Sequence, residues 1–455
     1  MIKVNLVIIG GGPAGETAAR AAAKKNARIH LIEKEFVGGL CLNRGCIPSK
    51  TLLSFGKKLF LFRNTFKTQA ALTFPFGSLQ NELWQEIKKE KERIVAFLRS
   101  SLEKQIKTHG VEIISGKAQF SSPQEIMVKS LKEEKRITFD KAIIAVGSKP
   151  FFPPPFDKIE KELLDSDKVF DLTNLPKRIL IVGGGAIGCE FACFFKELGS
   201  EIFLIEKTKA LLPGEDPQIV NSLARSFEKR GIKIYTSLTA IEILKTNSFW
   251  TVTLSDHSKI EVDQILVCAG RIPNCSELSL EKAQIKYSHK GIEVNSNLET
   301  SNPNVYAVGD VNGLSLLAHA GSKQGEIAAN NALGEKQIYN ENLIPRCLYT
   351  WPEVASVGMW KKDADHLKIE TESHRSFFQG LGRAQAEGET EGFIQIVCEK
   401  KNGKIIGAQI IGPHATEMIH IFSIAIDKKM NKEELKNIIF AHPTYSEGIK
   451  VALER

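Results

Sequence analysis

The sequence has no long uninterrupted hydrophobic segment. No stretch approaches the roughly 18–20 consecutive apolar residues that a membrane-spanning helix needs. Near the start, the apolar run Val4–Ile9 leads directly into glycines, and it is too short to be the hydrophobic region of a secretory signal peptide. We therefore expect no membrane partner and a cytoplasmic location.

Clusters of basic residues are also missing. The 455-residue chain has a formal net charge of +8, but its lysines and arginines are mixed with acids, as in Glu86–Arg93 (EIKKEKER). A nucleic-acid-binding surface needs basic residues gathered on one face. We therefore expect no nucleic-acid partner.

The cysteines do not follow the pattern of a metal site. Cys41 and Cys46 are separated by four residues in GGLCLNRGCIPSK. Structural zinc sites usually use closer pairs and need two further ligands, which no second Cys or His cluster supplies, so we expect no metal. Two alternatives remain: two unrelated buried thiols, or a redox-active disulfide at the start of a helix. A helix start favours the thiolate, which is the species that attacks disulfides.

What the sequence does contain is an internal repeat. Residues 5–34 (NLVIIGGGPAGETAARAAAKKNARIHLIEK) and 178–207 (RILIVGGGAIGCEFACFFKELGSEIFLIEK) both show a strand, a glycine turn, a helix and a second strand. Each copy carries GxGxxG and ends in LIEK with the same spacing. The glycines and acids of the two copies are Gly10, Gly12, Gly15 and Glu33, then Gly183, Gly185, Gly188 and Glu206.

This pattern is typical of dinucleotide binding. The first glycine allows a tight turn, the second lets the backbone approach a pyrophosphate, and the third lets the helix pack on the strand. The helix N-terminus meets the phosphates, and the acid accepts a hydrogen bond from the adenosine ribose. The repeat therefore predicts two dinucleotide-binding domains. Glu206 would repel a 2′-phosphate, so it favours NAD over NADP.

Coarser patterns indicate the organisation of the rest. Ser78–Thr108 is typical of one or two long charged helices, and the proline-rich segment Lys149–Phe156 (KPFFPPPF) marks a domain boundary. Val305–Asp310 (VYAVGD) predicts a short strand. From about Ile344 onward, the pattern shifts to strands of alternating character, as in GFIQIVCEK and KIIGAQIIG, and helices of the AIDKKMNKEELKNIIF type follow. These segments predict a separate C-terminal α+β domain.

At this point the motifs resemble a known family. GGLCLNRGCIPSK resembles the redox-active disulfide motif of the class I pyridine nucleotide–disulfide oxidoreductases, which include dihydrolipoamide dehydrogenases, glutathione reductases and mercuric reductases. The resemblance covers essentially the whole chain. Further motifs that carry it are AIIAVGSKP at 142–150, CAGRIPN at 268–274, TSNPNVYAVGDVNG at 300–313 and AHPTYSE at 441–447.

The resemblance implies a glutathione reductase-like α/β fold. That fold has two Rossmann-like domains, for FAD and NAD, and a C-terminal α+β dimerisation domain. The implied boundaries are 1–148 for the first part of the FAD domain, 149–270 for the NAD domain, 271–343 for the return to the FAD and central domain, and 344–455 for the dimerisation domain.

It also implies roles for individual residues. Cys41 would attack the substrate, and Cys46 would lie next to the flavin. His442 would be the acid/base for the thiol protons, oriented by Glu447, and in the family this histidine comes from the partner subunit of a homodimer. The implied FAD-binding residues are Gly10, Gly12, Gly15, Glu33, Lys50, Ala118, Gly147, Asp310 and Ala318. The implied NAD-binding residues are Gly183, Gly185, Gly188, Glu190, Glu206 and Gly270, with Glu190 paired to Lys50.

Three features favour dihydrolipoamide as the substrate. LLAHAGSKQG at 316–325 resembles the dihydrolipoamide dehydrogenase version of this helix, and Glu206 fits the NAD preference. No cysteine follows Cys398, whereas mercuric and high-molecular-weight thioredoxin reductases use C-terminal redox residues. The implied function is NAD-dependent oxidation of dihydrolipoamide on the lipoyl domains of 2-oxo acid dehydrogenase complexes. The alternatives are an NAD(P)H-dependent reductase of another small disulfide, as in glutathione reductases, and a non-catalytic flavoprotein scaffold.

Overall fold

A computed structural model describes residues 5–25, 27–66, 79–131, 133–246 and 249–454. The α-helices in this part of the chain are α1 (Pro13–Ala23), α2 (Gly39–Arg44), α3 (Cys46–Phe66), α4 (Leu79–Thr108), α5 (Ala186–Glu197), α6 (Pro217–Lys229), α7 (Ala318–Ala332), α8 (Lys361–His366), α9 (Gly382–Glu387), α10 (Ala415–Asp427), α11 (Lys432–Lys436) and α12 (Glu447–Leu453). The predicted long charged segment is a single helix, α4; its predicted first residue, Ser78, lies outside the described residues.

The strands belong to two parallel sheets, one antiparallel sheet and several small antiparallel units. They are β1 (Asn5–Ile9), β2 (Arg28–Glu33), β3 (Glu112–Ser115), β4 (Lys117–Ser122), β5 (Glu125–Lys129), β6 (Glu134–Thr138), β7 (Lys141–Ile144), β8 (Ser148–Pro150), β9 (Leu164–Asp165), β10 (Arg178–Val182), β11 (Glu201–Glu206), β12 (Lys233–Thr236), β13 (Ala240–Lys245), β14 (Trp250–Leu254), β15 (Lys259–Val262), β16 (Gln264–Val267), β17 (Arg271–Pro273), β18 (Tyr287–Ser288), β19 (Gly291–Ile292), β20 (Val305–Ala307), β21 (Arg346–Leu348), β22 (Val354–Gly358), β23 (Thr371–Phe377), β24 (Phe393–Glu399) and β25 (Ile405–Ile411).

The two copies of the sequence repeat form the centres of the two parallel sheets. The first sheet has the order β20-β7-β1-β2-β3, and the second has the order β12-β11-β10-β16-β9. The central strands β1 and β10 are apolar and buried on both faces, as expected where helices cover a parallel sheet. Each sheet also carries a three-stranded antiparallel meander, β4-β5-β6 in one and β13-β14-β15 in the other. The structural repeat is therefore longer than the sequence repeat.

The C-terminal part of the chain forms a different kind of layer. Strands β21, β22, β25, β24 and β23 make an antiparallel sheet, and α10 packs across it. The alternating sequences GFIQIVCEK and KIIGAQIIG form β24 and β25, as predicted. Their side chains are almost all buried because the helices cover one face and the second parallel sheet's α6 meets the other.

Two junctions hold the first parallel sheet against the second. On one side, α3 packs against α5, and a Cβ on Gly56 would come within 3.4 Å of the Phe194 ring on α5. On the other side, β8 and β17 pair as a two-stranded antiparallel ribbon. The carboxyl ends of β1 and β10 face the space between these junctions, where open α/β sheets bind their ligands.

The third glycine of each repeat is a packing residue, as the sequence pattern predicts. A Cβ on Gly15 would lie 1.9 Å from the carbonyl oxygen of Gly10, and one on Gly188 would lie 2.0 Å from that of Gly183. Neither distance can be accommodated without moving the helix away from its strand.

We expect Gly15→Ala and Gly188→Ala to have separable effects. Overpacking of this kind lowers the free energy of unfolding by about 1–3 kcal/mol. It also displaces the backbone of the glycine turn, which must approach a pyrophosphate. Gly15→Ala should lower FAD content, whereas Gly188→Ala should keep FAD and weaken NAD binding. Flavin-to-protein absorbance ratios, NAD titrations and thermal unfolding measure this. Gly382→Ala, where a Cβ meets nothing within 4 Å, is the control; equal FAD loss in both repeat variants would contradict the assignment.

Candidate active site

A large cavity of about 1990 Å³ opens between the two parallel sheets and the C-terminal domain. Most of the residues singled out in the sequence line it. They are Gly10, Gly12, Glu33, Cys41, Cys46, Lys50, Ala118, Gly147, Gly183, Gly185, Glu190, Glu206, Gly270, Asp310 and Ala318. Gly15 and Gly188 lie behind the wall, in the helix–strand contacts described above. His442 and Glu447 do not line the cavity of their own chain.

The two glycine turns form similar cradles. Gly12 and Gly185 are the residues that precede α1 and α5, and neither helix has a side-chain cap. The first-turn N–H groups of both helices are therefore free to meet phosphate oxygens. A Cβ on Gly185 would meet nothing within 4 Å, and one on Gly12 would meet only the Cα of Gly39, so both turns leave room for a pyrophosphate. Each cradle fits the pyrophosphate of a dinucleotide such as FAD or NAD.

The acids at the ends of β2 and β11 are held by the turns of their own repeats. Glu33 Oε2 accepts a 2.7 Å hydrogen bond from Gly11 N, and Glu206 Oε2 accepts a 2.7 Å bond from Gly184 N. Glu206 Oε1 also accepts from the backbone N–H and the hydroxyl of Thr208, both at 2.8 Å. These bonds fix the carboxylates at the sheet edge, where a ribose diol can donate to the remaining lone pairs.

The predicted redox pair lies at a helix start. Cys41 is in α2, and Cys46 is the first residue of α3. No disulfide bond joins the two sulfurs in this structure, and the Cys41 thiol donates a hydrogen bond to Cys46.

The pKa values of the two thiols are shifted in opposite directions. The hydrogen bond from Cys41 lowers the pKa of Cys46 to about 7, and the nearby Lys50 ammonium charge acts in the same direction. The same hydrogen bond, together with burial, raises the pKa of Cys41. The dithiol therefore holds its negative charge on Cys46, the sulfur that begins the helix and lies one turn from Lys50.

Lys50 is fixed by a carboxylate from the second parallel sheet's domain. Its Nζ lies 3.1 and 2.9 Å from the two carboxylate oxygens of Glu190, which is buried on α5. Glu190 Oε1 also accepts from the backbone N–H of Tyr349 at 3.0 Å, and the Lys50 ammonium lies 4.6 Å from the centre of the Tyr349 ring. Sequence reasoning paired Lys50 with Glu190 but missed Tyr349, which comes from a distant segment.

Asp310 is partly buried in the turn that follows β20, and it faces the cavity. Burial raises the pKa of Asp310, and the hydrogen bond from Ser148 Oγ at 2.6 Å acts against that rise, as does the charge of Arg271. Sequence reasoning identified Asp310 but missed both partners. Their motifs, AVGSKP and CAGRIPN, were the available signal.

His442 and Glu447 form a pair on the surface of the C-terminal domain. His442 Nδ1 and Glu447 Oε1 are 2.8 Å apart, and Glu447 Oε2 accepts a 2.7 Å bond from Thr444 N. These two bonds lower the pKa of Glu447, the Thr444 bond being the stronger influence. The His442 side chain is 78% exposed, and its Nε2 has no partner in the described residues. The imidazole is therefore open to solvent, and it does not line the cavity of its own chain.

Within the described residues, no helix is long and apolar enough to cross a bilayer.

Residues 4–325 match the family model for pyridine nucleotide-disulphide oxidoreductases, and residues 344–453 match the dimerisation domain of the same family. The latter match supports a homodimer.

Curated relatives are similar over the full length. The dihydrolipoyl dehydrogenase of Bacillus subtilis is 34% identical, with 99% of this chain and 98% of that protein aligned. That of Buchnera aphidicola (Schizaphis graminum) is 36% identical, with 100% and 95% aligned.

Solved structures have the same fold. LpdA from Mycobacterium tuberculosis superposes with a TM-score of 0.90 at 26% identity, covering 99% of both chains. The HOCl-induced flavoprotein disulfide reductase RclA from Escherichia coli, solved as a Cu(II) complex, superposes with a TM-score of 0.88 at 27% identity, covering 100% of this chain and 99% of the other. The chain therefore belongs to the pyridine nucleotide-disulphide oxidoreductase family, whose members are flavin-dependent disulfide oxidoreductases that use FAD and NAD(H).

Proposed function

We propose that the protein oxidises dihydrolipoamide to lipoamide and passes the electrons to NAD. The observation that carries the proposal is a dithiol with a stabilised thiolate at Cys46, in a cavity shared by two dinucleotide cradles. Support for the substrate comes from the relatives named dihydrolipoyl dehydrogenase, which align over nearly the whole chain.

Cys41 and Cys46 have different tasks in this scheme. In the oxidised enzyme, a substrate thiolate attacks the sulfur of Cys41, breaks the Cys41–Cys46 bond and leaves a thiolate on Cys46. The second substrate thiol then displaces Cys41, so lipoamide leaves as a disulfide and the enzyme keeps two electrons as a dithiol. The positive charge of Lys50 favours a thiolate on Cys46 and so makes it the better leaving group in the first step, because a thiol of lower pKa leaves faster.

FAD, when bound, supplies the electron transfer between the thiol pair and NAD. The chain's own residues orient it. The α1 N-terminus and Glu33 would hold its adenosine end, Asp310 would accept a hydrogen bond from its sugar chain, and Lys50 would supply a positive charge to the flavin. The α5 N-terminus and Glu206 would hold NAD.

The proton carrier is His442 of the partner subunit. Glu447 accepts a hydrogen bond from Nδ1–H, so the exposed Nε2 is the base for a substrate thiol. A cysteine pair in one subunit and a histidine in the other make the homodimer the active unit.

We further propose that the enzyme works in the cytoplasm as the shared dehydrogenase of 2-oxo acid dehydrogenase complexes, on their lipoyl domains. The division of the chain into FAD-binding (1–148 and 271–343), NAD-binding (149–270) and dimerisation (344–455) segments is part of the same proposal.

The test is NADH formation by the purified protein from dihydrolipoamide and NAD, with NADP as the control. We expect turnover with NAD and little with NADP, because the buried carboxylate of Glu206 repels a 2′-phosphate. Equal turnover with both nucleotides would contradict the role of Glu206.

A second candidate is a reductase of another disulfide. The similarity to RclA, a disulfide reductase by its title, favours testing it. A protein that fails with dihydrolipoamide but oxidises NADH or NADPH in the presence of glutathione disulfide or other small disulfides would have this function instead.

A further inference from the structure

The chain crosses between the two parallel sheets twice, and the two crossings run side by side. In the ribbon of β8 and β17, Arg271 is opposite Pro150 and Ser148 is opposite Pro273. Backbone bonds from Phe151 N to Gly270 O and from Asn274 N to Gly147 O, both 3.0 Å, extend the pairing at each end. A rotation of one sheet relative to the other on this side must bend the ribbon.

Arg271 occupies the centre of this junction. Its side chain is only 8% exposed. Its Nε and Nη2 donate to the hydroxyl and the carbonyl of Ser148 at 2.8 and 2.9 Å. Its Nη1 donates to Ser166 Oγ at 2.9 Å and lies 3.1 Å from Asp167 Oδ1. A planar guanidinium fixes several partners in one geometry, which a lysine cannot do.

These partners belong to different domains. Ser166 and Asp167 follow β9, the edge strand of the second sheet. Ser148 donates at 2.6 Å to Asp310, which follows β20, the edge strand of the first sheet. A continuous set of hydrogen bonds therefore runs from Asp167 through Arg271 and Ser148 to Asp310.

We propose that Arg271 is a positioning residue that couples the orientation of the NAD-binding domain to Asp310 in the FAD site. It sets the relative placement of the nicotinamide and the flavin. It also keeps a positive charge near the Asp310 carboxylate, so that this group accepts a hydrogen bond from a sugar hydroxyl in its ionised form.

The geometry predicts which step depends on Arg271. Hydride transfer needs the reacting atoms about 3–3.5 Å apart, and a misplacement of about 1 Å can cost about 10²-fold. That step spans the two sheets. Electron transfer from the thiols does not, because Cys41, Cys46 and Lys50 all lie in the first part of the chain, held by the α3–α5 junction on the other side. Loss of Arg271 should therefore slow one half-reaction and spare the other.

The experiment is anaerobic stopped-flow on the FAD-loaded homodimer of Arg271→Met. Dithiothreitol serves as the probe of the thiol half-reaction and NADH as the probe of the hydride half-reaction, so the result does not depend on the physiological substrate. We expect flavin reduction by NADH to slow about 10- to 100-fold, with reduction by dithiothreitol changed less than about twofold. Arg178→Met, which removes a partly exposed ion pair with Asp263 in the same domain, should change neither rate.

Two further variants guard against a general folding defect. Ser166→Ala combined with Asp167→Ala removes the partners in the second sheet and leaves the Arg271–Ser148–Asp310 contacts; it should slow the NADH step and leave FAD affinity unchanged. Arg271→Lys retains the positive charge but lacks the planar guanidinium with its several N–H donors. It should slow flavin reduction by NADH while binding FAD as the wild type does.

Two measurements without turnover complete the test. FAD titration of the apoprotein should show weaker binding in Arg271→Met, with the loss of affinity on acidification beginning at a higher pH, because Asp310 loses the charge that favours its ionised form. Hydrogen exchange should increase at 148–151 and 270–274. Equal slowing of both half-reactions, or an unchanged NADH rate with unchanged exchange, would overturn the proposal.

Discussion

Cys46→Ser is expected to lower the rate of dihydrolipoamide oxidation by roughly 10³-fold or more, while FAD remains bound. A serine hydroxyl can neither form the disulfide nor hold the thiolate that Cys41, Lys50 and the start of α3 stabilise in the native protein. None of the residues of the phosphate cradle changes, so the flavin-to-protein absorbance ratio should stay at the wild-type value.

The direct reaction between NADH and the flavin separates this effect from general damage. NADH should reduce the bound flavin of Cys46→Ser at a rate close to that of the wild type, since that step does not use the thiols. Cys347→Ser is the matched control, because Cys347 is a free thiol that lines the same cavity and has no assigned role. Substantial dihydrolipoamide turnover in Cys46→Ser would remove the cysteine pair from the mechanism.

His442→Gln is the second change with a large expected effect. Glutamine cannot take a proton from a substrate thiol, and a positioned acid/base is worth about 10²–10⁴-fold. Reduction of the flavin by dihydrolipoamide should slow by that factor, and reduction by NADH should not. Raising the pH towards the ordinary thiol pKa of about 8.5 should recover part of the rate, because the substrate then ionises without a base.

Mixed dimers test where His442 acts. Its imidazole lies outside the cavity of its own chain, so the two single variants should complement each other. Random exchange of Cys46→Ser and His442→Gln subunits gives half heterodimers with one intact site of two, and about a quarter of the wild-type activity. His420→Gln is the control for His442→Gln, because it removes an imidazole from the cavity wall of the same domain. An absence of activity in mixtures shown to contain heterodimers would place His442 in the cavity of its own subunit or outside the reaction.

Much of the site could be predicted because its residues belong to short, contiguous segments. In the glycine turns, the pattern follows from local sterics: a side chain at Gly15 or Gly188 collides with the carbonyl five positions earlier. The placement of Cys46 at the start of α3 is likewise a local property, since the helix begins at that residue. Such features depend on neighbours along the chain and can be inferred without a fold.

The partners that tune the reacting groups could not be predicted in the same way. Tyr349 reaches Glu190, and Arg271 reaches Asp310 through Ser148, only because separate sheets pack together. No periodicity or spacing encodes a hydrogen bond between residues more than a hundred positions apart. Their motifs signal that the segments matter and leave open what each side chain touches.

The sequence by itself determined the chemistry that this chain can carry out: two dinucleotide cradles, a dithiol and a histidine–glutamate pair, each specified by residues close together in the chain. Only the tertiary structure decided how these parts are joined. It gathers the cradles and the dithiol around one cavity, pairs Lys50 with Glu190, and leaves His442 on the outside of its own subunit. The physical reason is that charge, burial and reach depend on distances in space, which the packing of the three domains sets.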